Sequence, residues 1–535
     1  MKKVQMINNS ETQELKKIRN RLRHAWIPFF TRFGKLTPIQ LVTIPKILDN
    51  KNVFLTSPTA SGKTEAVVAP IAERFISERW EGLAVLYIVP TRALANDTYF
   101  RIEGPLRDMG IDTALKHGDK IFFSKKSIPN FLITTPESLD SLICRHSRML
   151  ENVKIVILDE IHMLDNTYRG DQLRLLLCRL EKIVKIDNLS VCLLSATVSS
   201  PEQVAERYVR KFEVIKVPGQ REISYRFLNS FEDVYRLAKN KRWYKILFFC
   251  NTRESVEVVA AELTKLWYPY PVLTHHGSLS RQVREEAENV MKESDLAVCV
   301  ATSTLEVGID IGNIDLIVLC EPPWSISSLL QRIGRGNRRQ GVINVVVITT
   351  SQEEQNMMDL MFKTAISGEL PEEIYEPDIS VAVQQIFSYL YQNPEGLNEE
   401  QILQLITTLC SKETSKLILT NLKINGWVEF IASRYFPSSK LLNLGEKGRI
   451  HSNIPDPQSY RVIDIDSGLE IGKIAGTFDK VFVLGGRIWR LVAVENYVIK
   501  VRNIKGEISA PNFQRYRGKG SFYGLLPMEL RLKNE

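Results

Sequence analysis

The sequence predicts two α/β domains in tandem, each on a parallel sheet, followed by a small helical module and a β-rich tail. Three observations carry this reading. From residue 52 to residue 217, short unbroken apolar runs alternate with amphipathic, helix-length stretches. Runs of that kind are buried on both faces, as the strands of a covered parallel sheet are. The same alternation restarts beyond Pro218-Gly219-Gln220, and it gives way to a different pattern near Pro371 and Pro377. A chain of 535 residues has room for three or four domains, with boundaries placed here at 1–217, 218–370, 371–450 and 451–535.

In the first domain the expected strands are Asn52–Leu55, Leu83–Val89, Phe131–Thr134, Lys154–Leu158 and Ser190–Leu194. In the second they are Lys245–Cys250, Pro271–Thr274, Leu296–Ala301, Leu316–Cys320 and Ile343–Ile348. Three helices follow, over Val381–Tyr391, Glu399–Leu409 and Glu413–Ile424. Asn398 with Gln401 forms a capping-box pattern for the second, and Gly426 can close the third. A hairpin over Trp427–Ile431 and Leu441–Leu444, ending in Gly445-Glu446-Lys447-Gly448, would complete a winged helix. The remaining alternating runs, Tyr460–Ile465, Lys480–Leu484, Trp489–Val494 and Val498–Val501, predict a small β-rich domain.

Composition narrows the function classes. Hydrophobic residues at 44% and charged residues at 25% are proportions of a soluble globular protein. The formal charge of +8 is compatible with a polyanionic partner without requiring one. Seven scattered cysteines, with no CxxC pair, read as reduced thiols and weigh against a disulfide framework, a metal site or an iron–sulfur cluster. The N-terminal stretch has no apolar core of a signal peptide, and no run reaches membrane-spanning length, so a cytoplasmic address is expected.

The chemistry concentrates in three places. Ser57-Pro58-Thr59-Ala60-Ser61-Gly62-Lys63-Thr64 follows an expected strand and precedes the apolar run Ala66–Ile71, the context of a phosphate-binding loop. Its amides and the following helix N-terminus attract phosphates, Lys63 would neutralise the β/γ oxygens, and Thr64 would coordinate magnesium. The strict pattern has glycine where Ser57 stands, but Gly62-Lys63-Thr64 is intact. Asp159-Glu160-Ile161-His162 sits at the carboxyl end of an expected strand, where open α/β sheets bind their ligands. There Asp159 would hold magnesium and Glu160 would orient and deprotonate water. Arg332, Arg335 and Arg338 recur every third residue, a spacing that on a helix brings them close to one face. That face is either solvated or a source of arginine fingers, for which Arg335 and Arg338 are the candidates. Gln40 and Phe33 could read and stack on an adenine, or could be a surface glutamine and a core phenylalanine.

These segments stand in the order of the superfamily-2 DEAD/DEAH-box helicases, which the chain resembles from about residue 33 to residue 339. LTPIQ (Leu36–Gln40) resembles the Q motif, the phosphate loop motif I, PTRALA (Pro90–Ala95) motif Ia and TTPESL (Thr134–Leu139) motif Ib. DEIH is similar to motif II, SAT (Ser195–Thr197) to motif III and FCNTRE (Phe249–Glu254) to motif IV. ATSTLEVGIDIG (Ala301–Gly312) resembles motif V and QRIGRGNRR (Gln331–Arg339) motif VI. HHGSLS (His275–Ser280) and GGRIWRLVAVE (Gly485–Glu495) resemble the core of Lhr-type, large helicase-related, proteins.

The resemblance implies two RecA-like domains sharing one ATP with Mg2+, and a catalytic set of Lys63, Asp159, Glu160, His162, Arg335 and Arg338. It implies nucleotide contacts from Gly308 and Asp310. Arg92, Thr135, Thr252 and Thr302 would touch the phosphates of one tracking strand, and Ser195 and Thr197 would couple hydrolysis to domain motion. It further implies 3′→5′ movement on single-stranded DNA, unwinding of DNA or RNA:DNA duplexes, and settings such as DNA repair or phage defence. An RNA remodeller remains open, as does a nucleic-acid-binding adaptor with a switch-like ATP site. In the C-terminal half, Trp427 is either core or a base-stacking wedge. The basic and aromatic residues of Lys500–Tyr523, such as Arg515 and Tyr516, suit either single-strand binding or an ordinary β-domain.

Overall fold

The computed structural model describes residues 13–31, 34–57, 61–118, 120–121, 128–186, 188–196, 198–217, 222–306, 311–336, 341–367, 374–455, 459–475, 481–485, 487–495, 497–504 and 519–532. The first sheet has eight strands: β1 (Val53–Thr56), β2 (Val85–Ile88), β3 (Thr113–His117), β4 (Lys120–Ile121), β5 (Phe131–Thr134), β6 (Ile155–Leu158), β7 (Ser190–Ser195) and β8 (Glu213–Lys216). Their spatial order is β4-β3-β5-β2-β6-β7-β1-β8, and every pair is parallel except β3 with β4. β1, β2, β5 and β6 are buried along their whole length, as their unbroken apolar runs predict. The sequence reading passed over β3 and β8, whose threonine, lysine and glutamate break the apolar pattern.

The second sheet runs β11-β12-β10-β13-β14-β9, all parallel. Its strands are β9 (Glu222–Leu228), β10 (Lys245–Phe249), β11 (Val272–His275), β12 (Ala297–Ala301), β13 (Leu316–Leu319) and β14 (Val342–Ile348). β9, an edge strand with alternating exposure, carries no continuous apolar run and went unexpected.

Three helices, Ser380–Gln392, Glu399–Ile406 and Lys412–Ile424, follow, with the capping box of Asn398 and Gln401 in place. The three-stranded sheet beside them corrects the expected hairpin. β15 (Leu397–Asn398) and β16 (Val428–Ile431) both pair with β17 (Arg434–Pro437), while Leu441–Leu444 lies in the helix Ser439–Glu446. Trp427 is partly buried, tilted against Phe387 with ring centroids 5.1 Å apart, and the Lys440 ammonium lies 3.7 Å over its ring. The tail folds into β18 (Ser459–Asp464), β19 (Glu470–Ala475), β20 (Val481–Leu484), β21 (Arg487–Glu495) and β22 (Val498–Ile504), ordered β19-β18-β22-β21-β20. Phe513, Arg515, Tyr516 and Arg517 lie outside the described residues.

The two C-terminal modules dock on different α/β domains. The helix Ser380–Gln392 lies against Pro136–His146 and Tyr168–Glu181 of the first domain around the fully buried Asp140. That carboxylate accepts from Gln172 (3.2 Å), Gln384 (3.0 Å), Gln385 (2.7 Å) and the Ser388 hydroxyl, and Arg179 lies 3.6 Å away. Cys144 and His451 complete a cluster whose ligand-type atoms lie within 4.8 Å of one another. The Arg179 guanidinium already supplies the positive charge that Asp140 needs there, so the cluster is a buried ion network. The tail sheet docks on the second domain: Lys473 N donates to Ser278 O (2.6 Å) and Ser280 N to Ile471 O (2.7 Å). Gly472 permits this approach, since a Cβ there would lie 2.4 Å from the Ser278 carbonyl oxygen. Glu257, buried against His276 (2.7 Å), also accepts from Gly485 N at 2.8 Å. The seven cysteines are free thiols, and among the described residues no helix is long and apolar enough to cross a membrane.

Candidate active site

The carboxyl ends of β1, β6 and β7, adjacent in the first sheet, deliver the residues of greatest chemical interest to one edge. β1 runs into Ser57, β6 into Asp159-Glu160 and β7 ends on Ser195. Gly62 is the N-cap of the helix Lys63–Ser77, with φ +89°, a conformation glycine adopts freely. A Cβ there would come within 2.6 Å of Gln40 Nε2. The Lys63 ammonium folds back to donate to Ser57 O at 2.6 Å, and the Ser57 and Ser61 hydroxyls meet at 2.6 Å. Pro58, Thr59 and Ala60 lie outside the described residues. Gln40 accepts from Thr37 N (2.9 Å) as part of a helix capping box, and its amide donates to Gly62 O at 3.3 Å. Phe33 lies outside the described residues.

Asp159 is held by the buried Tyr87 hydroxyl on β2 (2.7 Å) and by Glu160 N (2.8 Å). Burial and the neighbouring Glu160 carboxylate push its pKa up to about 6. Glu160 has left-handed backbone, φ +46° and ψ 45°, and its Oε2 is buried without a hydrogen-bond partner. His162 Nδ1 lies 3.1 Å from Ser195 Oγ and accepts from Ala196 N at 3.3 Å, which places any imidazole proton on Nε2. Burial and the charge of Lys63 hold His162 neutral, its pKa lowered to about 3. Thr64 Oγ1 accepts from Arg101 Nη1 at 3.1 Å. Neither Tyr87 nor Arg101 was singled out from sequence. The tyrosine sits inside an apolar strand and reads as core, and the arginine reads as an i,i+4 partner of Asp97.

The second domain contributes Arg335. The helix Ile326–Ile333 ends before it, so Arg332 and Arg335 do not share a helical face, contrary to the spacing argument. The break follows from Gly334 and Gly336, which are poor helix formers. Arg332 turns inward to Glu306 Oε1 (2.7 Å) and Asn251 (2.9 Å). Arg335, 1% exposed, donates through Nε and Nη2 to Glu306 O at 3.1 and 2.7 Å. Its charge reaches across to Lys63: burial lowers the lysine pKa first, Glu160 and Asp159 oppose that, and Arg101 and Arg335 add to it. Two domains therefore bring cations to one acidic centre. Arg338, Gly308, Asp310 and Thr197 lie outside the described residues.

The donor set suits a magnesium-bound nucleoside triphosphate. It offers a glycine cradle at a helix N-terminus, a hydroxyl and a carboxylate for the metal, and an unpartnered buried carboxylate oxygen to engage water. The residues expected to touch a strand lie at other strand ends. Arg92 opens the helix after β2 and packs across Gly118, and Thr135 is the N-cap after β5. Thr252 caps the helix after β10 through Ser255 N (3.0 Å), and Thr302 follows β12, 3.4 Å from the Thr304 hydroxyl.

Two family models match, DEAD/DEAH box helicase over residues 37–204 and Helicase conserved C-terminal domain over residues 229–340. The ATP-dependent helicase Lhr-Core of Methanothermobacter thermautotrophicus is 29% identical, over 92% of this chain and 65% of that protein. Two further Lhr-Core relatives are covered over 63% and 61% of their length, so the chain spans less than two thirds of these curated relatives. Among solved structures, Mycobacterium smegmatis helicase Lhr bound to single-stranded DNA and AMP-PNP superposes with TM-score 0.68 at 24% identity, covering 81% of this chain and 62% of that one. The DUF1998 helicase MrfA bound to DNA and AMPPNP superposes with TM-score 0.73 at 20% identity, over 91% of this chain and 72% of that one.

Proposed function

The chain carries both motor modules of the superfamily-2 DEAD/DEAH-box helicases and resembles the core of Lhr-type helicases, and on that premise we propose that it is an ATP-dependent helicase or translocase moving 3′→5′ on single-stranded DNA. The observation that carries this reading is the division of one acidic, cation-lined centre between two α/β domains. Lys63, Thr64, Asp159 and Glu160 come from the first, and Arg335 comes from the second within electrostatic reach of Lys63.

In this reading the Gly62 loop cradles the triphosphate of ATP, Lys63 leaves Ser57 O for the β/γ oxygens, and Glu160 orients and deprotonates the attacking water. Arg335 and Arg338 stabilise the charge that develops on the transferring phosphoryl. Thr64 and Asp159 would hold Mg2+, which supplies charge neutralisation between the phosphates. The His162–Ser195 contact links the acidic loop to the end of β7, a route for passing nucleotide state to the domain arrangement together with Thr197. Arg92, Thr135, Thr252 and Thr302 grip the strand backbone, so affinity would be salt-dependent and indifferent to sequence. The three-helix module with its small sheet is read as a winged helix, and unwinding of DNA or RNA:DNA duplexes follows from movement against the junction.

The deciding experiment is steady-state ATPase activity without polymer and with single-stranded DNA, single-stranded RNA or duplex, with Lys63→Ala alongside. Stimulation by single-stranded DNA that is lost in the variant is expected. A larger response to RNA would move the assignment to an RNA remodeller, and no response to any polymer would overturn the motor in favour of a switch-like adaptor. Duplexes with 3′ or 5′ tails test direction; equal unwinding of both would overturn the polarity.

A further inference from the structure

Arg101, on the helix Arg92–Asp108, reaches the corner of the site that suits a metal ion. Its Nη1 donates to Thr64 Oγ1 at 3.1 Å, and its Nη2 donates to Asp97 Oδ2 at 2.8 Å. Thr64 and Asp159, the hydroxyl and carboxylate fitted to Mg2+, are both buried. Tyr87 stands between them: it donates to Asp159 Oδ2 at 2.7 Å and feels both Thr64 and Arg101. The guanidinium therefore belongs to the same group of side chains as the two candidate metal ligands.

A helix-surface pair such as Arg101–Asp97 contributes little by itself and does not require a third partner. Arg101 nonetheless places its second arm on a buried hydroxyl. Burial opposes its charge, but Asp97, Glu65, Tyr87 and Asp159 outweigh that and raise its pKa above the ordinary arginine value. It is also one of the cations felt at Lys63. A hydroxyl oxygen has two lone pairs. Arg101 takes one of those of Thr64, so a divalent ion on the other would set two cations against one oxygen, and like charges repel strongly away from bulk water. A guanidinium also matches phosphate oxygens, to which it can supply positive charge in place of a metal.

We infer that Arg101 competes with Mg2+ for Thr64 and supplies part of the metal's charge when Mg2+ is absent, so that nucleotide binding depends less on Mg2+ than the phosphate loop alone would impose. The inference rests on the proposed ATP site and adds to it a control of metal dependence. Asp97, which already holds one arm of the guanidinium, is the carboxylate to which Arg101 withdraws when Mg2+ binds.

The test is the affinity of N-methylanthraniloyl-ADP, read by fluorescence with excess Mg2+ and with EDTA. The quantity compared is the ratio of the dissociation constants without and with metal. Arg101→Gln should raise that ratio about tenfold or more, the effect of losing one charge-assisted hydrogen bond, by weakening the metal-free complex. The Arg101 side chain is partly exposed, so its replacement leaves the core intact. Asp97→Asn removes the carboxylate that holds the other arm and leaves more of the guanidinium's charge for phosphate, so it should lower the ratio. It keeps the test valid should Arg101→Gln unfold. Arg101→Lys, which keeps the charge without the fork, should fall between wild type and Arg101→Gln. Arg107→Gln, on the same helix and paired with Glu103, should leave the ratio unchanged. A ratio unaltered in Arg101→Gln and in Asp97→Asn, whether or not both affinities fall, would overturn this inference alone. A wild type that binds the analogue in neither condition would overturn the proposed function with it.

Discussion

Glu160 occupies a left-handed backbone position that costs a non-glycine residue of order 1 kcal/mol or more, and its Oε2 is buried without a hydrogen bond. His162 Nδ1 lies 3.5 Å from that oxygen without a hydrogen bond to it, so the carboxylate keeps an acceptor with which to engage water. Glu160→Gln preserves the shape and removes the base. It should lower single-turnover ATP hydrolysis by about 10²–10⁴-fold while nucleotide binding is retained. Hydrolysis at the wild-type rate would remove Glu160 from the mechanism. At this scale Gly62, Lys63, Thr64, Asp159 and Glu160 were legible, because glycine, cation and carboxylate types at a strand–loop–helix junction have few other uses. Tyr87 and Arg101 were not: their hydrogen bonds to Asp159 and Thr64 join residues 72 and 37 positions apart.

Among the elements, the helix Ser380–Gln392 is fastened to the first domain by an ion network with a definite pH signature. Burial opposes the charge on His451, but hydrogen bonds to Asp140 and Cys144 and the charge of Asp140 together outweigh it and raise its pKa from 6.5 to about 9. Asp140 is likewise opposed by burial, yet the His451 hydrogen bond and the Arg179 charge lower it from 3.8 to about 2. The histidine contribution is therefore complete below about pH 6.5 and is lost as pH rises through about 9. The aspartate contribution is present above about pH 3.8 and is lost as pH falls through about 2. His451→Gln should lower the melting temperature at pH 6.5 and flatten its decline between pH 6.5 and 9, as read by thermal unfolding across that range. A decline as steep as that of wild type would exclude the pair as its origin. The misplaced hairpin strand belongs to this scale too. Leu441–Leu444 is too short an apolar run to separate helix from strand, and the true turn uses Ala432 and Ser433 at φ +46° and +65°, where hairpin turns usually advertise themselves with Asn or Gly.

For the molecule as a whole, each α/β domain carries its own C-terminal module, the three-helix unit on the first and the tail sheet on the second. Any relative movement of the two α/β domains would therefore be transmitted to the two modules separately. Arg335 is the described cation of the second domain whose charge is felt at Lys63. Arg335→Ala should reduce polymer-stimulated turnover by about 10³–10⁵-fold, the range for an arginine finger, with a much smaller change in nucleotide affinity. An equal loss in both would mean that the residue serves binding, or the packing of Glu306, and not the transition state.

Ten apolar strands of the two sheets, the strand-end placement of the phosphate loop and the acidic pair, and the likeness to a two-domain motor were determined by sequence alone. Each rests on local pattern: continuous apolar runs, turn-permitting residues and short motifs at fixed spacing. Only tertiary structure decided that Arg335 lies beyond the end of its helix within electrostatic reach of Lys63 and that Asp140 anchors the helical module. Those are electrostatic facts set by burial and by partners remote in the chain, and one-dimensional spacing carries no record of either.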